Sequence, residues 1–132
     1  MTVFANTFAL IAWLNPRDNA HAVVAAYLDG FTGRLVTTEW VLMELADALS
    51  APTARSTAVA FLQAVRADPL FEVIGYDLAL YQAGFDLFAA RPDKAWSLTD
   101  CISFAVMTQR GLSEALTADH HFEQAGFRAV FK

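Results

Sequence analysis

Four short β-prone runs, "TVFA" at 2–5, "RLVTT" at 34–38, "LFEVIGY" at 70–76 and "EALTA" at 114–118, are separated each time by stretches with apolar residues at helical spacing. A strand that returns through a helix to a parallel neighbour does so by a right-handed crossover, and the helices then cover both faces of the sheet. The alternation therefore predicts an α/β fold with three layers, α/β/α, around a central parallel sheet. Sheets of this kind hold their ligands beyond the carboxyl ends of the strands.

The helical stretches carry their own punctuation. "NTFALIAWLN" sets Leu10, Ile11 and Leu14 at helical spacing, and Asp18 is placed to N-cap "AHAVVAAYLDG", which Gly30 closes. "EWVLMELADALS" stops before Pro52 and "TARSTAVAFLQAVRAD" before Pro69. "DLALYQAGFDLFAA", the long apolar "SLTDCISFAVMTQRG" and the short "DHHFEQAG" complete the helices, with "RAVF" a candidate last strand. No repeat, low-complexity tract or linker divides the 132 residues, so one domain over 1–132 is expected.

Hydrophobic residues are 56% of the chain and charged residues 17%, against ~25% charged in ordinary soluble domains. Apolar surface is left over, which suits burial against a second copy or another protein. No apolar run approaches the ~18 residues of a membrane span, and "MTVFANTF" lacks the basic flank of a signal peptide, so a cytoplasmic protein without membrane association is expected. The single cysteine, Cys101, excludes an internal disulfide and a multi-cysteine zinc site; Ile102, Phe104 and Ala105 beside it mark an inert buried thiol. A net charge of −5 argues against a broad basic face for nucleic acid. It leaves room for a nuclease whose carboxylates are covered by a metal ion.

The polar residues at the strand ends need an explanation. Asn6 follows the first strand, Glu44 lies one turn into the helix after the second, Asp119 follows the fourth, and Asp100 heads an otherwise apolar helix in "SLTDCISFAVM". Each has a local role open to it. Ser97 and Asp100 fit the capping-box pattern, Asp119 can N-cap "HHFEQAG", and Glu44 borders a buried stripe of Val41, Leu45, Ala48 and Leu49 where it could reach water. Together they would bring several oxygen ligands to one edge of the sheet. That is the environment of a hard cation such as Mg²⁺ or Mn²⁺, which removes the repulsion between close carboxylates and activates water for phosphodiester cleavage.

Other candidates carry less. Thr7 and Thr99 adjoin the acidic positions; capping explains Thr99, and Thr7 is balanced between local and site roles. His120 and His121 should diverge on a helix, which argues against zinc and for structural or partner roles. Arg91 and Lys94 are weak candidates for phosphate contacts. Trp13, Trp40 and Trp96, interleaved with aliphatic residues, read as core or interface.

In order along the chain, "VFANTFALIAWL", "VTTEWVLMEL", "DKAWSLTDCISFAVM" and "EALTADHHFEQAGF" resemble the motifs of PIN-domain ribonucleases, above all the VapC-like toxins of toxin–antitoxin pairs. The resemblance covers nearly the whole chain and is most specific in its last two blocks. It implies a small PIN-like α/β/α domain with an acidic pocket for Mg²⁺ or Mn²⁺, endoribonuclease activity on an RNA substrate, a VapB-like antitoxin partner and a homodimer. Glu44, Asp100 and Asp119 fall on the family's acidic positions as catalytic and metal-binding residues. The first such position, usually Asp, is Asn6 here. Asn keeps the size and one carbonyl oxygen but loses the charge, so metal affinity and rate should both fall.

Phosphotransfer domains of the receiver or haloacid-dehalogenase type would want an acidic cluster directly after the first strand, where this chain has "ANTFAL". Neither G-x-x-x-x-G-K-[ST] nor a post-strand G-x-G-x-x-G is present for nucleotide binding. The remaining alternative is a PIN-like protein that binds RNA or an antitoxin without cutting, and Asn6 is its main support.

Overall fold

In the computed structural model, which describes residues 1–132, five parallel strands form one sheet in the order β3-β2-β1-β4-β5. The strands are β1 (Thr2–Ala5), β2 (Arg34–Thr38), β3 (Phe71–Ile74), β4 (Glu114–Leu116) and β5 (Arg128–Ala129). Seven helices connect them: α1 (Thr7–Leu14), α2 (His21–Asp29), α3 (Glu39–Ala48), α4 (Pro52–Ala67), α5 (Leu78–Ala90), α6 (Leu98–Arg110) and α7 (His120–Gln124). The chain winds from β1 out to β3, then crosses back to β4 on the other side of β1. Right-handed crossovers consequently place α1 to α4 on one face and α5 to α7 on the other. Within each face α1 meets α2 and α3, α3 meets α4, α5 meets α6, and α6 meets α7; α3 and α6 also meet across the division.

The central strands are buried on both faces, as a parallel sheet requires. Val3, Phe4, Ala5, Leu35, Val36, Ala115 and Leu116 belong to one continuous core with Leu10, Leu45, Phe104, Met107 and Phe122. Two of the helices on the second face approach closely: a Cβ at Gly84 of α5 would lie 2.4 Å from the Ile102 side chain of α6. Cys101 is wholly buried, and burial raises its thiol pKa, with the Asp100 carboxylate adding to the rise. Trp96 is buried edge-on to Phe104, Trp13 stacks on Phe71, and Trp40 meets Tyr76. No helix is long and apolar enough to cross a membrane.

Two local expectations are corrected. Asp18 does not N-cap α2; Ala20 holds that position, and the Asp18 carboxylate instead accepts from the Ala20 N–H at 2.8 Å in the preceding turn. In α3 the buried residues are Val41, Leu42 and Leu45, while Ala48 is exposed. The helix faces both the sheet and α4, which turns its apolar stripe toward Leu42.

Candidate acidic site at the carboxyl edge of the sheet

β1 lies between β2 and β4, so the point where the winding reverses falls at the centre of the sheet. Ligand sites of doubly wound sheets form at such a point. The register pairs Ala5 with Leu116. One residue further on, the Asn6 amide nitrogen donates to the Thr117 hydroxyl at 3.1 Å, and that hydroxyl also accepts from the Asp119 N–H at 3.0 Å. Asn6 is 9% exposed, and its carbonyl oxygen, Oδ1, is buried without any hydrogen-bond partner. A buried acceptor left open in this way is an unusual cost for a protein to carry.

Glu44 reaches the same edge from α3. Thr38 caps that helix by accepting from the Val41 N–H at 3.1 Å, which fixes its first turn directly after β2. Half-buried Glu44 accepts a 2.5 Å hydrogen bond from the hydroxyl of Thr7, the residue after Asn6. Thr7 is thus tied to the acidic cluster, whereas Thr99 sits in the first turn of α6, where Ser97 supplies the cap.

Asp100 forms the expected capping box with Ser97. Its N–H donates to Ser97 Oγ at 2.9 Å, and its Oδ2 accepts from the Ser97 N–H at 3.1 Å. Capping holds the carboxylate in one orientation and uses one of its oxygens. Burial pushes the Asp100 carboxyl above the usual range for an aspartate; Asp119 adds to the rise, and Ser97 and His121 oppose it. Asp119 caps α7 by accepting from the His121 N–H at 2.9 Å.

The two histidines do not diverge. They are the first residues of α7, and both rings turn back toward the cap residue, with centroids 4.4 Å apart. His121 Nδ1 lies 3.3 Å from Asp119 Oδ1 and 3.6 Å from Asp100 Oδ2, so the ring stands between the two carboxylates. Ligand atoms of Asp119, His120 and His121 all fall within 4.8 Å of one another. Sequence reasoning missed Thr117 and placed His121 outside the site. The available signal for Thr117 was its place directly after the fourth strand, opposite Asn6.

Asn6, Asp119 and Asp100 are therefore linked through Thr117 and His121, and Glu44 joins them through Thr7, the residue after Asn6, while the ligand atoms that lie within 4.8 Å of one another are those of Asp119, His120 and His121. The donor set suits a divalent cation: three carboxylates, a buried amide oxygen with no partner, and an Asp100 carboxylate that burial disfavours without a counter-charge. Arg91 is engaged elsewhere. It pairs with Asp93 at 2.9 Å and lies 5.4 Å over the Trp96 ring. A groove of about 430 Å³ beside Arg91, Trp96 and Gln124 runs along α6, apart from the acidic residues.

Among solved structures, the chain is similar to VapC20 of Mycobacterium tuberculosis, described as a sarcin-ricin loop cleaving toxin. The TM-score is 0.89 at 26% identity, over 97% of this chain and 98% of that one. FitAcB from Neisseria gonorrhoeae matches at TM-score 0.68 and 21% identity, over 100% of this chain and 97% of that one. VapBC2 from Rickettsia felis, solved bound to a DNA fragment from its promoter, matches at 0.67 and 12%, over 94% and 92%. These last two bear on the fold alone. No curated protein matches the chain. The family model of the PIN domain aligns with residues 3–128, from β1 into β5, and so takes in part of every strand and Asn6, Glu44, Asp100 and Asp119: the chain belongs to the PIN domain family.

Proposed function

We propose that this PIN domain is a divalent-metal-dependent endoribonuclease, the toxin of a VapBC-type pair, with activity reduced by Asn6 at the first acidic position. The observation that carries the reading is that Asn6, Glu44, Asp100 and Asp119 all lie at one edge of the sheet, linked through Thr117, Thr7 and His121. The likeness to VapC20 over almost its full length adds RNA as the substrate class.

Asp100, Asp119, Glu44 and Asn6 would hold Mg²⁺ or Mn²⁺. When bound, such an ion supplies Lewis-acid polarisation of a phosphate oxygen and lowers the pKa of water. The chain's own residues pre-set the geometry. Ser97 fixes Asp100 through two hydrogen bonds, Thr7 fixes Glu44, and Thr117 fixes both the Asn6 amide and the backbone of Asp119. Carboxylates held this way need little reordering to take a cation, which favours binding. Neutral Asn6 offers oxygen without charge, so attraction for the cation is weaker than an aspartate would give.

Leu78, Tyr81, Phe85 and Phe88 stand exposed at three- and four-residue spacing along α5, with Tyr81 and Phe85 stacked. Such a stripe is the pattern of a helix paired with another helix. It supports self-association into a homodimer, and the resemblance to VapC-like toxins adds an antitoxin partner.

The test is cleavage of an RNA hairpin carrying a sarcin-ricin loop by this chain and by Asn6→Asp, with Mn²⁺ or Mg²⁺ and with a chelator. Metal-dependent cutting by either protein supports the nuclease reading. Asn6 also supports a second reading, a non-catalytic PIN-like protein that binds RNA or antitoxin. RNA binding with no cutting by either protein would favour it.

A further inference from the structure

The three tryptophans differ in what their rings can reach. Trp96 is buried and Trp13 packs on Phe61 and Phe71, whereas Trp40 forms one wall of an open pocket of about 300 Å³. Tyr76, Asp77, Leu78 and Tyr81 complete it. The Trp40 and Tyr76 rings stand at 82° to each other with centroids 5.3 Å apart, so they make a corner. A planar group can lie flat on one ring and meet the other at its edge. Tyr76 is 59% exposed, with Leu78 and Tyr81 exposed beside it. The one charged group in the lining, Asp77, is turned to its own helix, where its carboxylate accepts from the Leu80 N–H at 3.1 Å.

The pocket adjoins the acidic edge. Trp40 precedes Glu44 by four residues in α3, so the two side chains leave the same face of the helix one turn apart. Tyr76 lies just past the end of β3. The register sets Ile74 beside Thr38 and Phe4 beside Val36, and carried on by two residues it brings Asn6 level with Thr38. The end of β3 is therefore two strand spacings, roughly 10 Å, from Asn6. A single-stranded polynucleotide with a phosphate at the acidic residues reaches the corner with a nearby base.

A net charge of −5 gives this chain little phosphate attraction to draw on. Stacking on an aromatic ring works without it, because every base has a π-face. The geometry points to a base-stacking subsite: Trp40, Tyr76 and Tyr81 hold one unpaired RNA base beside the acidic edge and supply affinity that the surface charge does not. The subsite rests on the ribonuclease function proposed for Asn6, Glu44, Asp100 and Asp119. Leu78 and Tyr81 also belong to the exposed stripe of α5, but Trp40 and Tyr76 lie off that helix, so the pocket is more than the first turn of the stripe.

The probe is a short fluorescein-labelled oligoadenylate, bound to the full-length chain in Ca²⁺ and followed by anisotropy, with the length of the RNA checked on a gel. Tyr76→Ala should weaken binding by about tenfold, and Tyr76→Phe, which keeps the ring, should bind like the parent. A series of probes with one base removed at each position in turn should show one position that matters most to the parent and that no longer matters in Tyr76→Ala. The series on the unmodified chain is informative even if a variant folds poorly: equal losses at every position overturn the subsite. Unchanged binding by Tyr76→Ala, with RNA still cut in Mn²⁺, overturns the subsite and leaves the nuclease standing. A Tyr76→Ala variant that changes mass in light scattering but not RNA affinity also overturns it, and makes the pocket a contact between copies. RNA neither bound nor cut, by the parent or by Asn6→Asp, overturns the subsite and the ribonuclease function together.

Discussion

The Asn6 amide donates to the Thr117 hydroxyl, and the same hydroxyl accepts from the Asp119 N–H, so one threonine oxygen receives two hydrogen bonds. Both of its acceptor positions are used while its own proton remains free to donate. An aspartate at position 6 could take that proton. Asn6→Asp should therefore fold, bind Mn²⁺ more tightly and cut RNA faster than the unmodified chain. In chelator it should melt lower, because another buried carboxylate then lacks a counter-ion. Metal titration and thermal melting, each with and without Mn²⁺, check both halves; no gain in affinity would show that the missing charge is not what limits the site.

Asp100→Asn keeps the oxygen that accepts from Ser97 but removes a charge that burial makes unfavourable. Its melting temperature in chelator should rise, Mn²⁺ binding should weaken, and RNA cleavage should disappear. Retention of full cleavage by this variant would remove Asp100 from the chemistry.

Cys101 sits next to Asp100 in sequence but points into the core. Cys101→Ser should destabilise by ~1 to 3 kcal/mol through a poorly satisfied buried hydroxyl, with metal affinity and cleavage of the folded fraction unchanged. Denaturant melts alongside a cleavage assay separate the two effects. A change in cleavage at equal folded fraction would place the thiol in the site.

Glu39 at the start of α3 pairs with Arg66 at the end of α4, at 2.8 and 2.5 Å. The hydrogen bond from Arg66 lowers the Glu39 pKa below its ordinary value. A depressed carboxyl contributes stability that is present above the unfolded-state pKa and is lost as pH falls through the folded one. Arg66 is 53% exposed, so solvent screening keeps the contribution under about 1 kcal/mol. Glu39→Gln should show a shallower loss of stability below pH 5 than the parent, by denaturant melts across pH; identical slopes would mean the pair adds nothing.

If α5 carries a self-association surface, Phe85→Glu should shift the chain from dimer to monomer in light scattering and leave its melting temperature close to the parent's. Phe85 is exposed in the isolated chain, so folding itself does not need it. A monomeric parent would set the dimer aside.

The strands and helices were legible because each is short and locally patterned, and six of the seven helices have Pro, Gly or a capping side chain at one end or the other. "RLVTT" and the Ser97–Asp100 box reappear without adjustment. The errors arose where a neighbour in space, rather than in sequence, decides. α4 drew Leu42 inward where the helical pattern had suggested Ala48, and the turn around Asp18 used that side chain before the helix began. Asn6, Glu44, Asp100 and Asp119 could be singled out as candidates from strand ends and from resemblance. Thr117 and His121 could not, since Thr117 matters through a partner 111 residues away. Adjacent histidines diverge only within a helix, and these two begin one and turn toward its cap.

The central place of β1 also sets a timetable. Synthesis delivers Asn6 and Glu44 before the other two donors, along with a sheet edge that β1 at that stage can share only with β2. Asp100 arrives much later, and β4, the second neighbour of β1, follows it with Thr117 and Asp119. A nascent or truncated chain thus holds an incomplete donor set beside an unsatisfied strand edge. The donor set is complete only once those later elements have been made.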